Sequence, residues 1–332
     1  MGKFGFMLKA LSEGTPKRFG KYIRTASELS GKSRFRAAMD MIVTVVVSGA
    51  GPADYLLFEM WNKTIPQRRT FITRSTNNAL VKKYNTPEGR ALFEDKYLFA
   101  QRFSELYGRI CLKTDIMTKK EFEDLCATTS KIIYKPLCGT CGKGIEIYDL
   151  NHEDVSSLWE KLHSGEVGIC EEVVEQCDEL SAIYPGSVNT VRFTTIFHDG
   201  KCTPIYAFLR IGNGGRFVDN LNSGGMAGKI DLETGEITLP AADKDGKVYS
   251  EHPLTGTPIV GFFIPRWDEV KAFAARAAAI CPETGYAGWD ICIRKNDMVL
   301  IEGNGYPGHD ILQLPAYTPD GWGMKPLVKD FL

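Results

Sequence analysis

Gly288-Trp289-Asp290-Ile291-Cys292-Ile293, a short turn, and then Met298-Val299-Leu300-Ile301-Glu302-Gly303-Asn304-Gly305-Tyr306-Pro307-Gly308 make two apolar runs, each with an acid where a core strand would carry an apolar residue. A buried carboxylate without a partner is costly, so Asp290 and Glu302 imply a counter-charge or a cation. Side chains alternate along a strand, which places Glu302 and Asn304 on one face. Two carboxylates and an amide oxygen suit Mg²⁺ bridging to substrate phosphates, because that ion takes few protein ligands, all of them oxygen. The register decides whether the acids meet. A hairpin loop of Asn296 and Asp297 alone pairs Asp290 with Gly303 and turns it away from Glu302. An odd loop, 295–297, or a bulge sets the acids opposite each other. Metal binding requires the second arrangement.

Outward from this hairpin the chain reads as short β-branched runs separated by glycine-rich turns. Strands are expected over Lys131–Pro136, Gly144–Tyr148, Gly168–Val174, Asn189–Phe197, Thr203–Ile211, Gly228–Asp231, Glu236–Leu239, Tyr286–Arg294 and Met298–Glu302. Asp199-Gly200 and Asn296-Asp297 are the expected hairpin turns. Helices are expected to interrupt this region only at Glu153–His163 and Trp267–Ile280. Residues 37–110 instead carry apolar residues at helical spacing over Ala37–Val47, Ala53–Asn62 and Lys96–Tyr107, with breaks at Gly49–Pro52 and Thr86–Gly89. Locally paired strands with a few covering helices predict an α+β fold with mainly antiparallel sheets, preceded by a helical region.

Three upstream segments carry chemistry. In Ile132-Ile133-Tyr134-Lys135-Pro136-Leu137-Cys138-Gly139-Thr140-Cys141-Gly142-Lys143-Gly144 a lysine ends a strand and a glycine loop follows. Backbone N–H groups of such a loop can close around phosphate oxygens, and the lysine adds positive charge. The Walker pattern fails because Lys143 precedes Gly144 and a strand, and a tight hairpin is the structural alternative. Cys138 and Cys141 have a C-x-x-C spacing, but no second pair completes a zinc site and no helix follows to activate a thiolate. Arg192 and Arg210 each interrupt an apolar strand; a buried arginine needs a carboxylate or a phosphate beside it.

The chain has 332 residues, enough for about two domains, and 43% of them are hydrophobic. Its 40 basic and 41 acidic residues nearly balance, which gives no reason to expect a nucleic-acid partner. Residues 1–39 are the exception, with nine basic residues against Glu13 and Glu28. Such an arm could meet an anionic membrane surface or an acidic partner, but the simpler reading is a solvated helical face. Nine scattered cysteines read as reduced thiols of a cytoplasmic protein, and no apolar run approaches the length of a membrane span. Among the five histidines, His252 and His309 fall in loops near the expected site, and His309 could act as a base.

In their order these segments resemble the ATP-grasp superfamily, and more closely its sugar-transfer-associated branch of polysaccharide and cell-surface biosynthesis proteins. The resemblance covers about residues 40–315 and rests on Asp95-Lys96, Ile133-Tyr-Lys135-Pro136 with its glycine loop, Glu172-Val-Val-Glu175-Gln176, Asn189-Thr-Val-Arg192, Arg210-Ile-Gly, Val218-Asp-Asn220 through Gly224-Gly225, His252-Pro-Leu-Thr-Gly256, Gly288-Trp-Asp290 and Leu300-Ile-Glu302-Gly-Asn304 with Pro307-Gly308. It implies ATP clasped between two α+β subdomains, the small one over 111–175 with the phosphate loop and the large one over 176–332 with the metal site, after a helical region at 1–110. Lys96 and Lys135 resemble the lysines on the α- and β-phosphates, and Gly139, Thr140, Cys141, Gly142, Lys143 and Gly144 the loop that closes over them. Glu172, Val173 and Val174 match the adenine-reading hinge, and Glu175 or Asn189 would take the ribose hydroxyls. Asp290, Glu302 and Asn304 match the Mg²⁺ ligands, and Arg192 and Arg210 would steady the γ-phosphate. The helical N-terminal third departs from the superfamily pattern.

The function implied is an ATP-dependent carboxylate–amine ligase working through an acyl-phosphate, with a small-molecule, sugar-linked carboxylate and an amine as substrates, in glycan or secondary-metabolite biosynthesis. A kinase phosphorylating a sugar or polyol hydroxyl shares the same ATP site, and a non-enzymatic nucleotide-binding subunit of a glycan assembly system is the third alternative. No protein nucleophile is needed for any of them, and the H-R-D and D-F-G motifs of protein kinases do not occur.

Overall fold

Helix starts are marked by side chains that accept the first free backbone N–H groups. Thr64, Thr86, Thr118 and Asp154 accept from the amides of Gln67, Gly89, Glu121 and Ser157, respectively. Thr86 with Pro87 therefore opens the helix Pro87–Glu94, where the sequence suggests a break. Thr118 and Glu121 form a reciprocal capping box that starts Lys119–Thr128, a helix not expected from the sequence. The short helix Asp178–Ile183 is likewise additional.

The computed structural model describes residues 16–137, 144–214, 219 and 224–332. They fall into two units. The first comprises the described residues up to Lys83 together with Pro307–Leu332. Its helices Pro16–Ser30, Arg34–Ser48 and Pro52–Leu57 surround a core of Ala26, Ala37, Met41, Tyr55, Phe58, Met60 and Phe71. The C-terminal segment is held there by Gln313, whose Oε1 accepts from the Ile72 amide at 2.8 Å and whose Nε2 donates to the Ile72 carbonyl at 2.9 Å.

The second unit, Tyr84–Tyr306, contains two sheets in which every described ladder is antiparallel. The smaller consists of β1 (Cys111–Lys113), β2 (Lys131–Pro136), β3 (Glu146–Asp149) and β4 (Gly168–Glu172) in the order β1-β4-β2-β3. Ile132, Tyr134 and Cys170 pack on helices Lys119–Thr128 and Val155–Ser164, so alternation turns Lys135 and Glu171 to the other face. The larger sheet holds β5 (Val191–His198), β6 (Lys201–Ile211), β7 (Met226–Ile230), β8 (Ala241–Asp243), β9 (Val248–Tyr249), β10 (Tyr286–Ile293) and β11 (Met298–Asn304) in the order β11-β10-β5-β6-β7-β8-β9. Val191, Phe193, Leu209, Trp289 and Ile291 meet helix Trp267–Ile280 on one face. The expected strand at Glu236–Leu239 is reduced to single bridges at Glu236 and Ile237, because Asp231 ties the preceding turn to itself and Pro240 ends the run. Asp199 and Gly200 both adopt positive φ, as a tight hairpin turn between β5 and β6 requires.

Gly303 is where β11 meets helix Lys96–Arg102: a Cβ there would lie 2.5 Å from the Phe99 ring and 2.6 Å from that of Phe93. Gly303→Val is expected to destabilise the protein by about 1–3 kcal/mol in urea denaturation, because both rings are packed and cannot yield. An unchanged midpoint would mean that this contact is loose.

Candidate active site

β10 and β11 begin in a register that keeps the acids apart. Ile293 lies opposite Met298, Cys292 opposite Val299 and Ile291 opposite Leu300, which leaves a loop over 294–297 instead of the expected Asn296-Asp297 turn. Continued, this register would pair Asp290 with Ile301 and keep Glu302 on the core side with Leu300. A bulge intervenes. Ile301 is passed over, Asp290 pairs with Glu302, and Gly288 pairs with Asn304. One extra residue thus rotates Glu302 and Asn304 onto the face of Asp290.

Arginines complete the row. Arg192 on β5 is directly opposite Asp290. Arg210 on β6 is two residues beyond Phe208, the partner of Arg192, so it shares that face. Arg192 donates to both oxygens of Asp290, with Nη2 at 2.7 Å from Oδ2, and Arg210 Nη1 also donates to Oδ2. Arg210 Nη2 reaches Asp219 at 2.9 Å, and Asp219 accepts from the Thr190 amide at 3.1 Å. Burial alone would raise Asp290, but the two guanidinium charges prevail and hold it at about 2. Glu302 lies 3.7 Å from each arginine with 49% of its side chain exposed. Desolvation by the surrounding sheet and the charge of Asp290 still push its pKa upward. Among the described residues, three carboxylates (Asp219, Asp290 and Glu302) stand against two arginines on this face. Two buried polar atoms flank Gly288 on the neighbouring strands, Thr194 Oγ1 and Asn304 Nδ2, and neither has a partner among the described residues.

The lysines gather at the end of β2. Lys96, in a helix capped by Asp95, donates to the carbonyls of Pro136 at 2.9 Å and Leu137 at 3.3 Å. Lys135 is paired with Glu171, which is buried and also bound by the Tyr107 hydroxyl and by Arg109. Arg109 is itself buried; its Nη1 donates to the Leu300 carbonyl at 2.8 Å and its Nη2 to Glu171 at 3.3 Å. A continuous polar chain therefore runs from Lys135 on β2 through Glu171 and Arg109 to β11, two residues before Glu302. Sequence reading missed Glu171, Arg109 and Tyr107; the only signal was an acid in the buried run Gly168–Glu172.

Burial would raise Glu171, but Arg109 and Lys135 overcome it and hold the carboxyl at about 2. A depressed folded pKa stabilises the protein above the unfolded value, about 4.3, and that contribution is lost as the pH falls through the folded pKa. The stability difference between wild type and Glu171→Gln is therefore expected to be constant above about pH 5 and to shrink toward pH 2 in urea titrations. A difference independent of pH would contradict the ionised network.

Gly139, Thr140, Cys141, Gly142 and Lys143 lie outside the described residues. Gly144 has φ +74°, and a Cβ on it would lie 2.8 Å from Pro136. Glu172, Val173 and Val174 are half-buried where the chain leaves β4, and Glu175 is exposed. The Cys177 amide then donates to the Ile293 carbonyl at 2.8 Å, joining this connection to β10. Of the two ribose candidates, Asn189 is buried: its Nδ2 donates to the Leu180 and Tyr184 carbonyls at 2.9 Å, and its Oδ1 accepts from the Gly212 amide. Such an amide clamps loops and has no donor left for a ribose. His252 is buried against the Gly212 carbonyl, and His309 belongs to the first unit, 3.5 Å from Asp54. Among the described residues no cluster of three His, Cys, Asp or Glu side chains forms a metal site.

The family profile described as sugar-transfer associated ATP-grasp matches residues 75–319. The chain belongs to this ATP-grasp family. Among solved structures, it is similar to the ATP-grasp ligase PsnB complexed with minimal precursor, Mg and ADP, at 17% identity and a TM-score of 0.41 over 77% of this chain and 66% of that one. It is also similar to the D-alanyl-alanine synthetase A of Vibrio cholerae, at 11% identity and a TM-score of 0.45 over 74% and 65%. The chain thus spans slightly less than two thirds of the length of these two proteins. None of the curated proteins matches it.

Proposed function

We propose that this ATP-grasp chain is an ATP-dependent carboxylate–amine ligase. The observation that carries the reading is the bulge that brings Asp290, Glu302 and Asn304 onto one face with Arg192 and Arg210. The donor set fits Mg²⁺: Asp290, Glu302 and the amide oxygen of Asn304 offer hard oxygen ligands on one face, and among the described residues the carboxylates there outnumber the arginines. Asp290, Glu302 and Asn304 would hold the ion. Bound there, Mg²⁺ would offset the charge of the ATP phosphates during transfer.

The chain's own groups divide the remaining work. Lys96 and Lys135 grip the α- and β-phosphates at the end of β2, and the backbone of Glu172, Val173 and Val174 reads adenine. Glu175, exposed where Asn189 is engaged, takes the ribose hydroxyls. Arg192 and Arg210 retain N–H donors beyond those given to Asp290 and steady the γ-phosphate. A substrate carboxylate oxygen attacks that phosphorus and ADP leaves; an amine then attacks the acyl carbon, the carbon–oxygen bond to phosphate breaks, and the amine proton is lost with the phosphate. A small ATP-clasping half over 111–175 would be built on β1–β4, and a large half from 176 on β5–β11, although residues 84–110 group with these sheets and 307–332 with the helical first unit. A sugar-linked carboxylate in glycan or secondary-metabolite biosynthesis accords with the family's description. The described cysteines are free thiols, in keeping with a cytoplasmic site of action, and no described helix is long and apolar enough to cross a membrane.

The test is incubation with ATP, Mg²⁺ and panels of sugar acids, amino acids and amines. Free phosphate released together with an amide supports the ligase; phosphate retained on a hydroxyl of the product assigns a kinase instead.

A further inference from the structure

Helix Arg34–Ser48 of the first unit is apolar on the wrong side for a surface helix. Ala37, Met41 and Thr44 are buried, yet Phe35 is 76% exposed, Met39 46%, Ile42 39%, Val43 39% and Val46 60%. Their spacing places these five side chains on one stripe, opposite the buried one. An uninterrupted apolar stripe along a helix about 22 Å long marks a surface that meets something besides water. We infer that this stripe, with the arginines around it, is a docking face for an anionic lipid bilayer.

Charge selects the occupant. Arg34 and Arg36 flank Phe35 and are exposed, and the preceding helix, packed against this one, exposes Arg18, Lys21 and Arg24 against a single exposed acid, Glu28. The only acid in the striped helix, Asp40, is already neutralised by Arg68 at 2.7 Å and Lys32 at 3.2 Å. A bilayer supplies both halves: the stripe enters the acyl boundary while the arginines reach up to lipid phosphates. The inference is independent of the ligase reading.

Flotation of the intact chain with vesicles tests it. Binding is expected to phosphatidylcholine–phosphatidylglycerol vesicles and not to phosphatidylcholine alone, and to weaken as salt is raised. Phe35→Ser with Val46→Ser, or Arg34→Glu with Arg36→Glu, should each reduce binding about tenfold or more with unchanged thermal melting, since all four side chains are exposed. No binding to the anionic vesicles, equal binding to neutral ones, or binding that neither pair of substitutions weakens would overturn the inference. So would a dimer that Phe35→Ser with Val46→Ser converts to a monomer.

Discussion

Glu302→Gln is expected to lower ATP-dependent turnover on the order of a hundredfold or more and to leave the melting temperature close to that of wild type. The two halves of this expectation have separate causes. Glu302 is half exposed and stands 3.7 Å from Arg192 and Arg210, so its ion pairs contribute little to folding. Its charge matters only when a divalent cation and a triphosphate share the face. Asp290→Asn is the informative contrast, since Asp290 is buried and holds two guanidinium groups, and its loss lowers stability and turnover together. Phosphate release and thermal melting of both variants check the distinction. Near-normal turnover of Glu302→Gln would remove that residue from the site.

Glu171→Ala is expected to destabilise the protein by about 3–5 kcal/mol, the largest folding effect the structure implies. The substitution leaves Arg109 buried with no carboxylate, frees Lys135 from the position its partner fixes, and strands the Tyr107 hydroxyl. Urea denaturation of the pure protein measures the change. A loss below about 1 kcal/mol would mean that water or another group replaces Glu171 without penalty. Glu171→Gln retains the shape without the charge, and so separates packing from electrostatics.

These two residues also show what the sequence could and could not reveal. Alternation and glycine punctuation are local signals, and they located the long strands of the larger sheet, the helix Trp267–Ile280 and the α+β architecture. The opposition of Asp290 and Glu302 was legible as one of two registers, reached by an odd loop or by a bulge, but not which of the two means the chain uses. The loop proved even, and the bulge at Ile301 carries no proline or glycine to announce it. The Arg109–Glu171 pair joins residues far apart in the chain, and no pattern within a strand shows which distant charge a buried acid will meet. Asn189 was one of two ribose candidates that the family resemblance implies; its partners are loop carbonyls that the sequence does not place. The stripe on Arg34–Ser48 was hidden for the opposite reason: a helix apolar on all sides predicts burial, and only packing tells which side is left open.

The central claim is that Lys96 and Lys135 on one side and Asp290, Glu302 and Asn304 on the other serve a single nucleotide. A crystal structure of the protein with a non-hydrolysable ATP analogue and Mg²⁺ measures this directly. Phosphate oxygens are expected within hydrogen-bond distance of both lysines, with the ion bound between those oxygens and the side chains of β10 and β11. A nucleotide lodged elsewhere, or one that touches the lysines while Glu302 faces only water, would contradict it.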